Sequence, residues 1–148
     1  MSDYEISFDP ARVQLGRVHV ALASSYWSPG IRREVLAKAI QHSLVVGAFA
    51  RTTGEQVAFA RVVTDVATFA WLCDVYVDEA HRGRGLSTRL VAMLVEHPEL
   101  QTLRRWCLAT RDAHGLYEHF GFEPVPAERW MEKRLPAIAW SLPDGQPA

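Results

Sequence analysis

The stretch 74–88, DVYVDEAHRGRGLST, constrains the fold most, because it predicts a strand, a glycine turn and a helix in immediate succession. Its first four residues are β-branched or aromatic enough to favour a strand. Gly83 and Gly85 follow, and apolar residues then recur at helical spacing. The first N–H groups of a helix have no intrahelical partner and carry partial positive charge. This order of elements therefore indicates an anion site, to which Arg82 and Arg84 add formal charge.

Two nucleotide-binding patterns fit this stretch poorly. A P-loop requires Lys directly before its Ser or Thr, whereas Leu86 precedes Ser87 here. A dinucleotide fingerprint that starts at Gly83 requires a glycine at position 88, which is Thr88. Taken alone, the stretch also fits an ordinary glycine turn that begins a helix.

Two segments resemble the GNAT superfamily of N-acetyltransferases. The sequence HRGRGLST after VYV is similar to the acetyl-CoA pyrophosphate loop of that family, whose pattern is Arg/Gln-x-x-Gly-x-Gly/Ala. Arg82, Gly85 and Ser87 occupy its three positions, with Ser in place of the usual Gly or Ala. Residues 116–122, LYEHFGF, resemble the L-Y-x-x-x-G-F helix and turn that close GNAT domains. The resemblance covers about residues 44–134.

The resemblance implies an α/β (α+β) fold with a single GNAT domain. We expect a central twisted sheet that is mixed but mostly antiparallel, with six to seven strands and about four flanking helices. It also implies acetyl-CoA as co-substrate and no metal. The implied cofactor contacts are Val75, Tyr76, Val77, Arg82, Gly83, Arg84, Gly85, Leu86, Ser87 and Thr88. Thr110 stands where many relatives carry an Asn that touches the pantetheine arm, which weakens the contact at that point.

Acetyl transfer from a thioester to an amine needs a base, an oxyanion donor and a proton donor. A primary amine with a reference pKa of roughly 10.4 is protonated at pH 7, so the site must accept a proton. Asp74 is our candidate, because a carboxylate in an apolar run needs a reason and several GNAT relatives carry an acid there. The alternative is an N-cap or a salt bridge with an arginine such as Arg111. His114 and His119 are alternative bases.

The other two roles are assigned to a backbone group and a phenol. A backbone N–H at Val75 or its neighbours is expected to meet the negative charge of the tetrahedral intermediate. In the family, the Tyr at the position of Tyr117 protonates the leaving CoA thiolate, and a phenol stays protonated at neutral pH. The alternative is that Tyr117 only packs the closing helix onto the sheet.

The acceptor is expected to be a small-molecule or peptide amine. In the GNAT arrangement the connection between the first helices borders the acceptor pocket, and Tyr26 and Trp27 stand on that connection. With Trp71 they form our predicted substrate contacts, which favour a cationic molecule with some apolar surface. The alternative is that the aromatic pair only joins two helices. The rival functions are a CoA-binding module without turnover and, more remotely, a nucleotide-binding domain.

Composition sets the remaining bounds. The chain has 148 residues with 49% hydrophobic and 22% charged residues, which predicts one domain over 1–148 with a loosely ordered tail at 136–148. A net charge of −1 argues against nucleic acid as a partner. We expect a soluble, cytoplasmic protein without membrane contact, and a homodimer is compatible with the sequence. Cys73 and Cys107 lie in apolar runs and are expected to be buried thiols.

Hydrophobic periodicity and turn residues predict the order of elements. The predicted helices are 11–24, 31–42, 85–97 and 114–120. The predicted strands are 4–8, 44–51, 56–64, 69–77, 102–109, 122–125 and 130–135.

Overall fold

Five strands form one sheet and are arranged in chain order. The computed structural model describes residues 2–142. Neighbouring strands from the first to the fourth pair antiparallel, and the fifth pairs parallel to the fourth. The strands are β1 (Tyr4–Ser7), β2 (Leu44–Ala50), β3 (Gln56–Thr64), β4 (Phe69–Val77) and β5 (Arg105–Cys107). The predicted mixed, mostly antiparallel sheet is confirmed.

Helices lie on both faces of this sheet. They are α1 (Leu15–Ala23), α2 (Arg33–Gln41), α3 (Leu86–Val95) and α4 (His114–Glu118). The α3 and α4 side chains join one apolar cluster with the sheet, while α1 and α2 join a second cluster around Phe59 on the opposite face. The helix α3 connects β4 to its parallel neighbour β5, as predicted. Its buried residues, Leu86, Leu90, Val91 and Leu94, recur at the spacing of one helix face.

The predicted count of six to seven strands was too high. Among residues 2–142 no strand follows Cys107, so the strands expected at 122–125 and 130–135 are wrong. Both segments have the apolar residues that favour strands, but residues 123–135 are exposed. A strand also needs a hydrogen-bonding neighbour, and β5 is only three residues long, so it offers a short edge for pairing.

A bulge in β4 shapes the site. The β3–β4 register passes from Arg61 opposite Cys73 to Phe59 opposite Tyr76, so Asp74 and Val75 together face one residue of β3. Asp74 has a φ of 55°, in the left-handed region that Asp tolerates better than most side chains. Such a bulge bends its strand and interrupts the ladder. The bend lies just beyond the three residues of β4 that pair with β5.

The segment after Leu135, where we predicted little order, contacts the connection between α1 and α2. The backbone N–H of Arg32 donates to the Trp140 carbonyl at 3.0 Å, and the Leu142 N–H donates to the Gly30 carbonyl at 2.9 Å. Ser141 forms an isolated antiparallel bridge with Ile31. The rest of the predicted tail, 143–148, lies outside the described residues.

Candidate active site

The split between β4 and β5 forms the central cavity of the molecule. Pairing between the two strands covers only residues 69–71 of β4, and within the described chain no strand lies beside 72–77 on that edge. A cavity of about 550 Å³ opens there, lined by 72–75 on one side and 108–113 on the other. Unpaired backbone groups of a strand edge bind extended ligands readily. The geometry therefore suits a narrow, amide-containing ligand that lies along β4.

The glycine loop after β4, our predicted anion cradle, is open. Gly83 and Gly85 both have φ near 75°, and a Cβ built on either would meet no described atom within 4 Å. Gly85 directly precedes α3, and among residues 2–142 no side chain caps that helix start. The first N–H groups of α3 thus have no side-chain cap, and the positive end of the helix dipole lies there. These residues fit a pyrophosphate.

The two loop arginines are held by different partners. Arg82 donates from Nε to the Val77 carbonyl at 3.1 Å. Arg84 donates from Nη1 to the Tyr4 hydroxyl at 2.8 Å, and that hydroxyl lies 2.8 Å from His81 Nδ1. Tyr4 and His81 were not predicted as site residues. The only signal for them is that a buried tyrosine on β1 needs a partner for its hydroxyl.

The other predicted cofactor contacts differ in whether a side chain or a backbone group is placed to meet a ligand. Val75 and Val77 pack on the α3 side of the sheet, whereas Tyr76 packs with Phe59 on the opposite side. Only the backbone of Tyr76 is therefore placed to meet a ligand in the split. The side chain of Leu86 is buried, Ser87 is half-buried and Thr88 is exposed. The side chain of Leu86 anchors α3, so its backbone N–H is the group available to an anion.

Tyr117 lies where the cavity meets α4. The residue is 8% exposed, and no hydrogen bond among residues 2–142 involves its hydroxyl. Burial, together with Tyr26 and Asp112 nearby, raises the pKa of this phenol above its usual value. A protonated hydroxyl without a protein partner is suited to donate to a ligand.

Asp74 is buried and paired. Its Oδ2 accepts from Arg61 Nε at 2.8 Å, and its Oδ1 accepts from the Trp27 indole at 2.9 Å. The alternative of an arginine salt bridge thus applies, with Arg61 of β3 in place of Arg111. Arg61 was not predicted, because its pairing depends on the bulge. Two lone-pair sites of the carboxylate remain for a ligand.

The aromatic pair between α1 and α2 spans the split. Trp27 binds Asp74 of β4, while the Tyr26 hydroxyl accepts from the Arg111 N–H at 3.2 Å and its ring lies 3.8 Å beneath the Arg111 guanidinium. Both line the cavity, as does Trp71. The structure therefore brings the three predicted acceptor residues together with Asp74 and Tyr117.

Three further predicted residues have other surroundings. The Thr110 hydroxyl accepts from the Ala113 N–H at 3.0 Å and so supports the start of α4. His114 lines a neighbouring cavity beyond β5, and His119 lies against Phe120 outside both cavities.

Cys107 is buried, and burial raises the pKa of the half-buried Cys73 to about 12.

No helix in residues 2–142 is both long and apolar enough to cross a bilayer. In the same residues no three His, Cys, Asp or Glu side chains are grouped as metal ligands.

Comparison with known proteins identifies relatives of this chain. The sequence profile described as "Acetyltransferase (GNAT) domain" matches residues 40–124, more than half of the chain. A "putative acetyltransferase" of Gibberella zeae is 29% identical over 134 residues, which cover 78% of this chain and 76% of that protein.

Solved structures agree with that profile. A "putative acetyltransferase belonging to the gnat family" from Xanthomonas campestris is 44% identical, with a TM-score of 0.86 over 93% of this chain and 97% of its own. The glucosamine-6-phosphate N-acetyltransferase of Arabidopsis thaliana is 15% identical, with a TM-score of 0.67 over 91% of this chain and all of its own, and shows likeness of fold alone.

Proposed function

Because the chain belongs to the GNAT acetyltransferase family, we propose that it transfers an acetyl group from acetyl-CoA to a primary amine by direct attack. One observation carries the proposal. The unpaired edge of β4 connects an uncapped helix N-terminus at one end to a cavity lined by Tyr117, whose hydroxyl has no hydrogen-bond partner among residues 2–142. An activated thioester with a pyrophosphate tail has the length and chemistry to bind the helix N-terminus with its pyrophosphate and to place its thioester beside Tyr117.

The loop residues bind the co-substrate. The N–H groups at Gly83, Gly85, Leu86, Ser87 and Thr88 receive the pyrophosphate, and the Ser87 and Thr88 hydroxyls add donors. Arg82 and Arg84 supply charge. The backbone of 75–77 pairs with the pantetheine amides, which would otherwise lose hydrogen bonds on leaving water. Tyr4 and His81 hold Arg84 in place beside the loop.

Three groups in the cavity carry the chemistry. Asp74 holds the ammonium of the acceptor, or accepts its proton through water, with the carboxylate sites that Arg61 and Trp27 leave free. A backbone N–H at Val75, within the bulge, stabilises the oxyanion of the tetrahedral intermediate. Tyr117 then gives its proton to the CoA thiolate as the C–S bond breaks, and its raised pKa keeps it protonated beforehand.

Tyr26, Trp27 and Trp71 form the wall against which the amine lies. Aromatic faces attract cations by about 0.5–2 kcal/mol depending on desolvation, so they suit an ammonium before it loses its proton. The exposed fractions of Tyr26 and Trp27, 45% and 40%, leave their rings accessible to an acceptor from solvent.

The rival function is a CoA-binding module of the same fold that turns nothing over. A calorimetric titration with acetyl-CoA, followed by a turnover assay on a panel of amines with an acceptor-free hydrolysis blank, separates the two. We expect binding and acceptor-dependent CoA release. Binding without any acceptor-dependent release would favour the rival, and competition by ATP at equal concentration would favour a nucleotide site.

A further inference from the structure

A second cavity lies on the far side of β5. It has a volume of about 510 Å³ and extends between β5, α4 and the segment 122–134. Trp71 and Trp130 form part of its wall with stacked rings, 5.8 Å apart and 14° from parallel, and Trp106 meets Phe122 edge to face at 6.5 Å. Such walls suit an apolar chain or a cation.

The charges of the two cavities differ. The first cavity is lined by two carboxylates, those of Asp74 and Asp112, and by two guanidinium groups, those of Arg111 and Arg134. Asp74 also pairs with Arg61, and Asp112 lies 3.9 Å from Arg111. The second cavity is lined by three carboxylates, those of Glu118, Glu123 and Glu132, against the shared guanidinium of Arg134. The imidazole of His114 also lines this cavity.

The guanidinium of Arg134 already pairs with one of the three carboxylates. Arg134 donates from Nε to Glu132 at 2.7 Å, whereas within residues 2–142 neither Glu118 nor Glu123 forms a salt bridge. The second cavity thus has uncompensated negative charge beside aromatic rings. This combination attracts a cation and repels the phosphates of CoA.

Tyr117 lines both cavities. Trp71, Thr110 and Arg134 also line both, and the Tyr117 hydroxyl, in a residue more than nine-tenths buried, has no partner among the described residues. An amine that reacts beside Tyr117 therefore lies next to the second cavity.

From this geometry we infer that the acceptor carries a second positive charge, separated from the reacting primary amine by an apolar spacer, and that the second cavity binds this distal end. The spacer lies along the Trp71 and Trp106 side of the wall, and the distal cation meets Glu118 and Glu123. The inference rests on the proposed function and narrows its acceptor to diamines and polyamines.

The test compares linear diamines with monoamines of the same carbon number. For the diamine whose spacer fits best, we expect kcat/KM to exceed that of its matched monoamine by roughly tenfold. This is the combined effect of two partly exposed ion pairs and a cation–π contact. The preference should shrink as salt is added, because exposed ion pairs are screened. The same pairs are tested for binding, with tryptophan fluorescence or calorimetry in the presence of CoA as the readout.

Charge-neutral variants assign the effect to the cavity. Glu118→Gln and Glu123→Gln should each lower the diamine-to-monoamine ratio, and the double variant should abolish most of it. Glu99→Gln removes the same charge from an exposed residue that lines neither cavity, and should leave the ratio unchanged.

The outcomes separate this inference from the proposed function. Acetyl transfer with equal kcat/KM and equal affinity for diamines and monoamines would overturn the inference while the proposed function stands. Preferred binding of diamines without acetyl transfer would overturn the proposed function while the cation site stands. A diamine preference that the double variant keeps would also overturn the assignment to this cavity.

Discussion

Gly85 offers the sharpest perturbation of the anion cradle because the chain contains a matched control. Gly85 and Gly54 have φ of 75° and 74°, and a Cβ added at either would meet no described atom within 4 Å. Gly54 lies in the turn between β2 and β3 and lines neither cavity. Replacement of each glycine by alanine therefore imposes the same backbone strain, but only Gly85→Ala puts a methyl group where the pyrophosphate would bind.

The structure sets the size of both effects. A side chain in the left-handed region costs about 1–2 kcal/mol, so both variants should lose that much free energy of unfolding. For a domain of this length, the midpoint of thermal unfolding should fall by roughly 2–8 °C in each. At Gly85 the displaced phosphate also loses one charge-assisted hydrogen bond or more, at about 1.5–3 kcal/mol each. This corresponds to a rise in the dissociation constant for acetyl-CoA of roughly 10- to 150-fold.

Calorimetric titration of the wild type and the two variants, with thermal unfolding of the same samples, measures both effects. We expect equal destabilisation and a loss of affinity in Gly85→Ala alone. If Gly85→Ala binds acetyl-CoA as tightly as Gly54→Ala, the cradle assignment is refuted.

Three further predictions concern titratable side chains. Tyr117→Phe should lower the catalytic rate by roughly 10²–10⁴-fold with little change in acetyl-CoA affinity; a normal rate at saturation with lost stability would make Tyr117 a packing residue. Asp74→Asn, checked for folding by circular dichroism, should reduce turnover but not cofactor affinity, and the defect should shrink at high pH, where the amine is neutral; a pH-independent loss would indicate acceptor binding alone, and full activity a structural role. Burial raises the pKa of Cys73 from its ordinary 9.0 to about 12, so its stabilising contribution is complete below pH 9 and is lost as the pH rises towards 12. Cys73→Ala should therefore flatten the alkaline fall in the free energy of unfolding, and an unchanged slope would contradict the burial argument.

Local signals predicted most of the elements correctly. The antiparallel meander and the parallel β4–α3–β5 unit follow from alternation, turn residues and helical spacing within short windows.

The errors arose where structure depends on distant partners. The apolar pattern of 122–135 favours strands, but strand formation depends on an available edge, and β5 ends after Cys107. One error is local instead: the helix predicted from Ala11 begins only at Leu15, because Asp9 and Pro10 start a separate 3₁₀ turn.

The site shows the same division. The cradle and Tyr117 were predicted from contiguous motifs, and their roles stay predictions. The partners of Asp74, by contrast, lie on β3 and in the α1–α2 connection, 13 and 47 residues away. They become neighbours only through the bulge at Asp74, whose left-handed backbone no sequence pattern indicated. Tyr4 and His81 are 77 residues apart and meet only in the folded chain.

Transfer of a labelled acetyl group tests the central claim most directly. The protein is incubated with acetyl-CoA labelled in the acetyl group and with an amine, and the label is located by mass spectrometry. For the wild type we predict label in an amide of the amine, with one free CoA released for each amide formed. For Tyr117→Phe, measured at the same early times, we predict that neither the labelled amide nor free CoA rises above the enzyme-free blank. Recovery of the label only as acetate, or unreacted acetyl-CoA in the presence of tight binding, would contradict acetyl transfer to an amine.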